Sequence, residues 1–239
     1  MSNDFKALIN LIDNFFNNIT YKVRNLFLTL SQILTYSLLL SHLTFIPYVH
    51  ASPAGGNIVG GSGSINHTNL ITNINQLSSS LAIDWNSYNL NANEIVNYIQ
   101  PGMNSIALNR ILGGSASEIH GQINANGQVI LVNTSGIFFG QSASVNVGGL
   151  VASGLDINPV DFMNGDYVFK SIDGTTGTIL NAGVLTASLG GSITLLGKQV
   201  TNEGLISANL GAVNLAAGKE AVVTFDNAGL IGVQITKIN

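Results

Sequence analysis

From residue 121 to residue 157 the chain reads "GQINANGQVILVNTSGIFFGQSASVNVGGLVASGLDI", short apolar runs that alternate with small polar residues and stop at Gly or Asn. A period of two puts one set of side chains inward and the next toward solvent, which is the signature of strands. The same alternation recurs in Ile193-Thr194-Leu195 and Val213-Asn214-Leu215. Near the C-terminus the pattern repeats as a unit: "NAGVLTASLG" from Asn181, "NEGLISANLG" from Asn202, and a truncated "NAGLIGVQI" from Asn227, at spacings of 21 and 25 residues. Periods in this range mark a solenoid, whose coils bury their apolar faces only by stacking on their neighbours. The Leu-x-x-Leu-x-Leu spacing of a leucine-rich repeat is missing, and a parallel β-helix fits better. Asn and Gly reach left-handed backbone angles cheaply and suit its corners. Asn181, Asn202 and Asn227 are then expected to stack as a ladder at one corner. The competing reading of these Asn-Gly pairs is a set of hairpin turns in an antiparallel sandwich.

Within this pattern Asn133-Thr134-Ser135-Gly136 sits between two apolar runs. It is expected to form a β-helix corner joining a strand over 128–132 to one over 137–139. Asn133-Thr134-Ser135 and Asn66-His67-Thr68 also match the glycan-acceptor triplet, a weak signal that matters only in a eukaryotic source.

The first fifty residues follow a different pattern. Lys6, Lys22 and Arg24 precede "LFLTLSQILTYSLLLSHLTFIPY", an apolar run over residues 26–48 broken by Ser, Thr, Gln and His. This reads as the core of an export signal, and "VHA" ending at Ala51 supplies the small residue a signal peptidase requires. Cleavage is expected after Ala51, leaving "SPAGG" as a flexible start to the mature protein. The alternative is a retained anchor, since the run approaches the length that spans a bilayer. Residues 1–51 are therefore assigned to an extended signal peptide and residues 52–239 to the functional domain.

Charge narrows the function. Asp, Glu, Lys and Arg make up 8% of the chain, against about 25% in typical globular domains. Residues 57–83 and 119–155 contain none of the four. With 8 Lys and Arg in total, the chain has no cluster to track phosphates, so nucleic acid is excluded as a partner. The absence of Cys excludes disulfides and thiolate metal sites and does not settle the compartment.

Residues 81–157 closely resemble the secretion domain of filamentous-haemagglutinin-like exoproteins. The likeness runs in order through "IDWNSYN" from Ile83, "QPGMNSIALNRI" from Gln100, "GQINANGQV" from Gly121 and "VNVGGLVAS" from Val145, and more loosely beyond "DFMNGDYVF" from Asp161. The resemblance implies two-partner secretion in a Gram-negative bacterium: Sec export on a long signal peptide, then recognition by the periplasmic domains of an outer-membrane β-barrel transporter. β-helix folding would follow at the cell surface, with an adhesin as the usual passenger. The family's corner is Asn-Pro-Asn-Gly-Ile, whereas this chain has Asn133-Thr134-Ser135-Gly136-Ile137. Losing the proline removes a preset turn angle, and losing the second Asn removes a residue tolerant of left-handed geometry, so a looser corner is expected. The family's Asn-Pro-Asn-Leu motif is not visible, and "INPV" from Ile157 shares only a dipeptide with it. The chain stops at Asn239, which leaves little or no expected passenger.

Candidate chemistry is sparse. A β-helix enzyme would need converging carboxylates, and Asp156, Asp161, Asp166 and Asp173 are the best candidates, also for calcium. Neither calcium-binding spacing is present, and solvated loop carboxylates are the simpler reading. His42 and His50 fall in the signal, while His67 and His120 lack the context of a metal site or triad. Arg110 is expected to pair with Glu118 or to contact the transporter. Trp85 and Tyr88 are expected to pack as a cap over the first coil, with a sugar-binding platform as the alternative.

The resulting expectation is an all-β, right-handed parallel β-helix with an N-terminal cap and extra-helical β elements. It is non-enzymatic, without cofactor or metal, not membrane-spanning once mature, and secreted or held at the cell surface. The transporter is expected to bind by β-augmentation at residues 126–152 and at strands near residues 58–83. Asn133, Thr134, Ser135, Gly136 and Ile137 would shape the corner, and Asn109 and Arg110 would hold or present the adjacent loop. The alternative is a free-standing surface adhesin that binds a host protein or carbohydrate without a transporter.

Overall fold

The computed structural model describes residues 3–41, 51–225 and 231–238. The chain divides into two compact units, residues 1–49 and 50–239. The described residues of the first form a helix, Asn3–Ser41. Among the described residues no helix is long and apolar enough to cross a membrane, and residues 42–48 of the expected signal core lie outside them.

The second unit is a β-solenoid of about seven turns. Its first sheet stacks strands Ser80–Trp85, Ile106–Ile111, Gln128–Val132, Gly149–Ser153, Ile193–Gly197 and Val213–Ala217 in parallel. The second stacks Ser117–Ile119, Ile137–Phe139, Thr178–Asn181 and Gln199–Asn202, also in parallel. The third stacks Ile71–Gln76, Ile95–Ile99, Gln122–Ala125, Ser144–Val147, Val184–Ala187 and Leu205–Ala208. One turn visits all three sheets, and the register Asn181↔Asn202 sets its length at the 21 residues read from the repeat.

The side-chain pattern of each sheet follows from what covers it. Ala107, Val129, Leu150 and Ile193 form one inward row of the first sheet, and Leu131, Ala152 and Leu195 another. Its outer face is covered as well: Leu108, Ile130, Val151 and Leu196 pack under Phe162, Phe169, Ala221 and Val223. A sheet buried on both faces needs near-continuous apolar runs, and "QVILV" and "ITLLG" supply them. The third sheet has an open outer face, so its strands alternate, as in "SVNV".

The covering elements come from two excursions. Between Leu150 and its partner Ile193 the chain takes 43 residues instead of 21. The extra length includes the short helix Pro159–Met163 and the strand Val168–Lys170. Asn158 caps that helix, its Oδ1 accepting from the Val160 and Asp161 amides, with Pro159 in the first turn. The second excursion corrects the repeat reading. Asn227 lies outside the described residues, but Ile231–Lys237 pairs antiparallel with Glu220–Phe225 and adds no further coil. Glu220–Phe225 in turn pairs antiparallel with Val168–Lys170, and its buried Ala221 and Val223 draw this sheet onto the outer face of the solenoid.

At the other end, Asn57–Gly60 pairs antiparallel with Ser80–Trp85, and Gly63–Thr68 forms a hairpin with Ile71–Gln76. The stretch "SPAGG", expected to be flexible, is pinned: Ala54 N donates to Ser87 O at 2.9 Å, and Ser52 Oγ bonds Glu94 Oε1 at 3.0 Å. Gly56 lies against the Trp85 ring, where a Cβ would not fit. The N-terminal segment thus closes over Trp85.

Candidate functional site

The Asn133 corner forms where expected, between strands Gln128–Val132 and Ile137–Phe139. Gly136 N donates to Asn133 O at 2.9 Å, closing a four-residue turn. Asn133 Oδ1 accepts from Ser135 N at 2.9 Å, and its amide donates to Ser115 O and Ser117 Oγ of the preceding coil, each at 3.0 Å. The following coil holds the other side: Gly177 N donates to Thr134 O, and Thr176 Oγ1 donates to Ser135 O at 2.7 Å. Asn133 is 0% exposed, so it is closed to glycan attachment in the folded chain. Ile137 points into the core.

This geometry removes one of the two grounds for expecting a looser corner, the lost second Asn. Among the described non-glycine residues only Asn69 and Leu210 have positive φ, so Ser135 is not left-handed and needs no second Asn. The left-handed demand falls on Gly136, at φ 113°, where a Cβ would also lie 2.9 Å from Thr178 O.

Asn109 holds and does not present. It is 0% exposed; Trp85 Nε1 donates to its Oδ1 at 3.0 Å, and its amide donates to Ala107 O and Ile130 O, each at 3.3 Å. Trp85 meets Tyr88 edge-on at 5.7 Å, and the Tyr88 and Tyr98 hydroxyls lie 2.9 Å apart. Burial pushes both phenols well above the usual tyrosine range. Trp85 and Tyr88 are buried, so they form no surface platform for a sugar.

Arg110 does not pair with Glu118. Its Nε and one terminal nitrogen fork onto the Asp156 carboxylate at 3.1 and 3.2 Å, and its other terminal nitrogen bonds Asp84 at 3.1 Å. Burial alone works against the guanidinium charge, and the two carboxylates outweigh it, raising its pKa. Arg110 therefore ties the first sheet to the root of the insertion. Asp156, Asp161 and Asp166 line one cleft of about 480 Å³ with Arg110 and Lys170, while Asp173 is not part of it. Both Asp156 oxygens are held by Arg110, and among the described residues no group of three or more His, Asp or Glu is placed to hold a metal. His67 bonds Thr72 Oγ1 at 2.9 Å, and His120 stands edge-on to Phe138.

Strand edges decide where another chain can pair. Every strand between residues 126 and 152 has a neighbour on each side. Terminal positions in the solenoid sheets fall to Asn57–Gly60, Gly63–Thr68 and Ser117–Ile119, the last bridged by Leu90, at one end and to Gln199–Asn202, Leu205–Ala208 and Val213–Ala217 at the other.

Residues 51–234, the chain that builds this capped, parallel solenoid, match the model of a known family, that of the TPS, or two-partner secretion, domain. The chain belongs to the TPS secretion domain family. It is 33% identical over 186 residues to a heme/hemopexin-binding protein of Haemophilus influenzae strain Rd, an alignment covering 74% of this chain and 20% of that protein. A second H. influenzae heme/hemopexin-binding protein is 38% identical over 96 residues, covering 40% of this chain and 10% of its own length. The crystal structure of the HMW1 secretion domain from H. influenzae superposes with a TM-score of 0.69 at 29% identity, over 78% of this chain and 50% of that one. The chain thus spans a fifth or less of these curated relatives and half of the solved one.

Sequence reasoning missed the partners of Arg110, the Trp85–Asn109 bond and the Ser52–Glu94 tie. The helix cap at Asn158 has a local signal, Asn followed by Pro.

Proposed function

We infer that this TPS domain is the part of an exoprotein that a partner outer-membrane transporter recognises and that starts β-helix folding on the far side. The observation that carries the reading is the contrast between the uncharged segment 126–152 and its fully paired strands in the folded solenoid. Strand addition needs free backbone N–H and C=O groups. In the solenoid those of residues 126–152 are consumed by neighbouring coils. The transporter's periplasmic domains therefore bind this segment while the chain is unfolded in the periplasm, and folding outside displaces them. The exposed edges at residues 57–68 remain available for pairing in either state.

The corner Asn133–Gly136 acts in the folding step. It fixes the turn from first to second sheet and bonds both adjacent coils, so its closure templates the next turn of the solenoid. Residues 1–51 serve as the signal that takes the chain across the inner membrane by the Sec route. The product is an adhesin-type surface protein of a Gram-negative bacterium.

The test is affinity for the periplasmic domains of the cognate transporter, measured on the full chain held unfolded in low denaturant and again after refolding. Binding at least about tenfold tighter to the unfolded chain supports the reading, since many strand-pairing hydrogen bonds are at stake. Equal binding to both states contradicts it.

A further inference from the structure

We propose that the outer face of the third sheet is a binding groove for an uncharged, hydroxyl-rich linear glycan. In register across this face run Asn66, Asn73, Asn97, Asn124, Asn146 and Thr186. Successive rungs lie about 4.8 Å apart, on the scale of one sugar ring. Asn97 Nδ2 donates to Asn73 Oδ1 at 3.0 Å, and Asn124 Nδ2 donates to Asn97 Oδ1 at 2.9 Å. An amide has two N–H donors and two acceptor lone pairs. The ladder uses one of each at Asn97, which orients that amide and leaves the other N–H and lone pair for a ligand. A sugar hydroxyl, both donor and acceptor, matches such a pair. The sheet backbone is already satisfied by its own ladder, so this face offers side-chain amides and no strand edge.

The ladder floors a groove of about 740 Å³, and none of the residues lining it is charged or a histidine. Ile99 stands on one wall, suited to the C–H face of a ring. A smaller cavity of about 50 Å³ adjoins the groove, sharing Asn126 and Ser188 with it. Met103 and Leu189 stand at this cavity, 63% and 71% exposed.

Gln128 lines the smaller cavity and is 5% exposed, yet its Oε1 is a buried acceptor with no hydrogen-bond partner. Its Nε2 donates to Met103 O at 3.3 Å, so reversing the amide would set two oxygens against each other. This bond orients the amide with Oε1 as the unpaired acceptor. A Cβ on Gly149 would collide with that oxygen, which packs directly against the glycine. A buried acceptor without a donor costs free energy that a ligand hydroxyl recovers.

The inference is independent of transporter recognition, and the test is direct binding to the refolded full chain. Cellopentaose, chitopentaose, maltopentaose and xylopentaose are each titrated by calorimetry, with side-chain amide signals followed by NMR. Oligogalacturonate and an uncharged extended peptide serve as comparisons. At least one neutral oligosaccharide is expected to bind with a dissociation constant on the order of a millimolar or tighter. Binding should shift the amide signals of Asn97, Asn124, Asn146 and Gln128. The double variant Asn124→Ala/Asn146→Ala, changed only on the open face, should weaken binding about tenfold while keeping the thermal midpoint. Gln128→Leu should weaken it as well. No binding by any of the four, unchanged binding in the double variant, or tighter binding of the acidic oligomer or the peptide at the same amides would each overturn the proposal.

Discussion

The indole N–H of Trp85 donates to Oδ1 of Asn109 at 3.0 Å, one coil on, with both residues wholly buried. This bond, with the Tyr88–Tyr98 hydroxyl pair beside it, fills the first turns of the solenoid with a polar network and not with aliphatic packing alone. Such a network is stabilising only when its members are satisfied, which makes its centre sensitive to substitution.

Asn109→Ala should therefore be among the most damaging single changes in the domain. It leaves the indole N–H without an acceptor and opens a cavity, at a cost of about 3 kcal/mol. Thermal unfolding followed by circular dichroism should show the midpoint falling by roughly 10 °C for a domain of this size.

The same network predicts a response to alkali. Burial raises the pKa of Tyr88 and Tyr98 above the ordinary value of 10.0, so both stay protonated in the folded chain while the unfolded chain ionises. The unfolded state then binds fewer protons, and stability falls as pH rises through about 10. With two such groups the fall is steeper than one tyrosine alone would give. Denaturant midpoints measured from pH 8 to 11 check this, and Tyr88→Phe should reduce the slope.

At the corner, Gly136→Ala should cost about 1–3 kcal/mol, because its φ of 113° is strained for any Cβ. Ser135→Asn should change stability by less than about 0.5 kcal/mol, since Ser135 is not left-handed. Thr134→Pro should add about 0.4–1 kcal/mol by restricting the unfolded chain, as Thr134 uses its carbonyl and not its N–H in the contacts that fix the turn. Chemical denaturation of the three variants separates these outcomes.

Arg110→Gln should loosen the insertion without unfolding the solenoid. Its fork onto Asp156 is lost where Asp156 and Lys170 exchange backbone hydrogen bonds at 2.8 Å. Hydrogen exchange should quicken at the amides of Asp156 and Lys170 and remain slow in Ile193–Gly197.

What the sequence revealed divides by the range of the interaction. The corner and both flanking strands were legible because turn residues between apolar runs act locally. The Asn181–Asn202 ladder was legible because a repeated spacing encodes stacking directly; the amide of Asn181 reaches Asn202 Oδ1 at 2.7 Å. Arg110 was misassigned because its partners lie 26 residues before and 46 after it, brought close by coiling, while Glu118 was merely near in sequence. The end of the third repeat was not legible because "IGVQI" from Ile231 suits a parallel coil or an antiparallel strand equally. What decides is the apolar outer face of the first sheet, which needs a cover. The groove had no local signal at all, since single Asn residues in separate coils align only once the register is known.

Processing offers a further check. Cleavage after Ala51 would make Ser52 the first residue of a mature chain whose start is tied to Glu94. N-terminal sequencing of the exported protein should begin Ser-Pro-Ala-Gly-Gly, and retention of residues 1–51 would contradict the assignment of a cleaved signal.

The most direct test of the central claim is secretion itself: the chain is expressed in a Gram-negative host with and without its cognate two-partner transporter, and medium and periplasm are compared by immunoblot. Release into the medium that depends on the transporter is the predicted result. Equal release without the transporter, or retention in the periplasm in both cases, would contradict it.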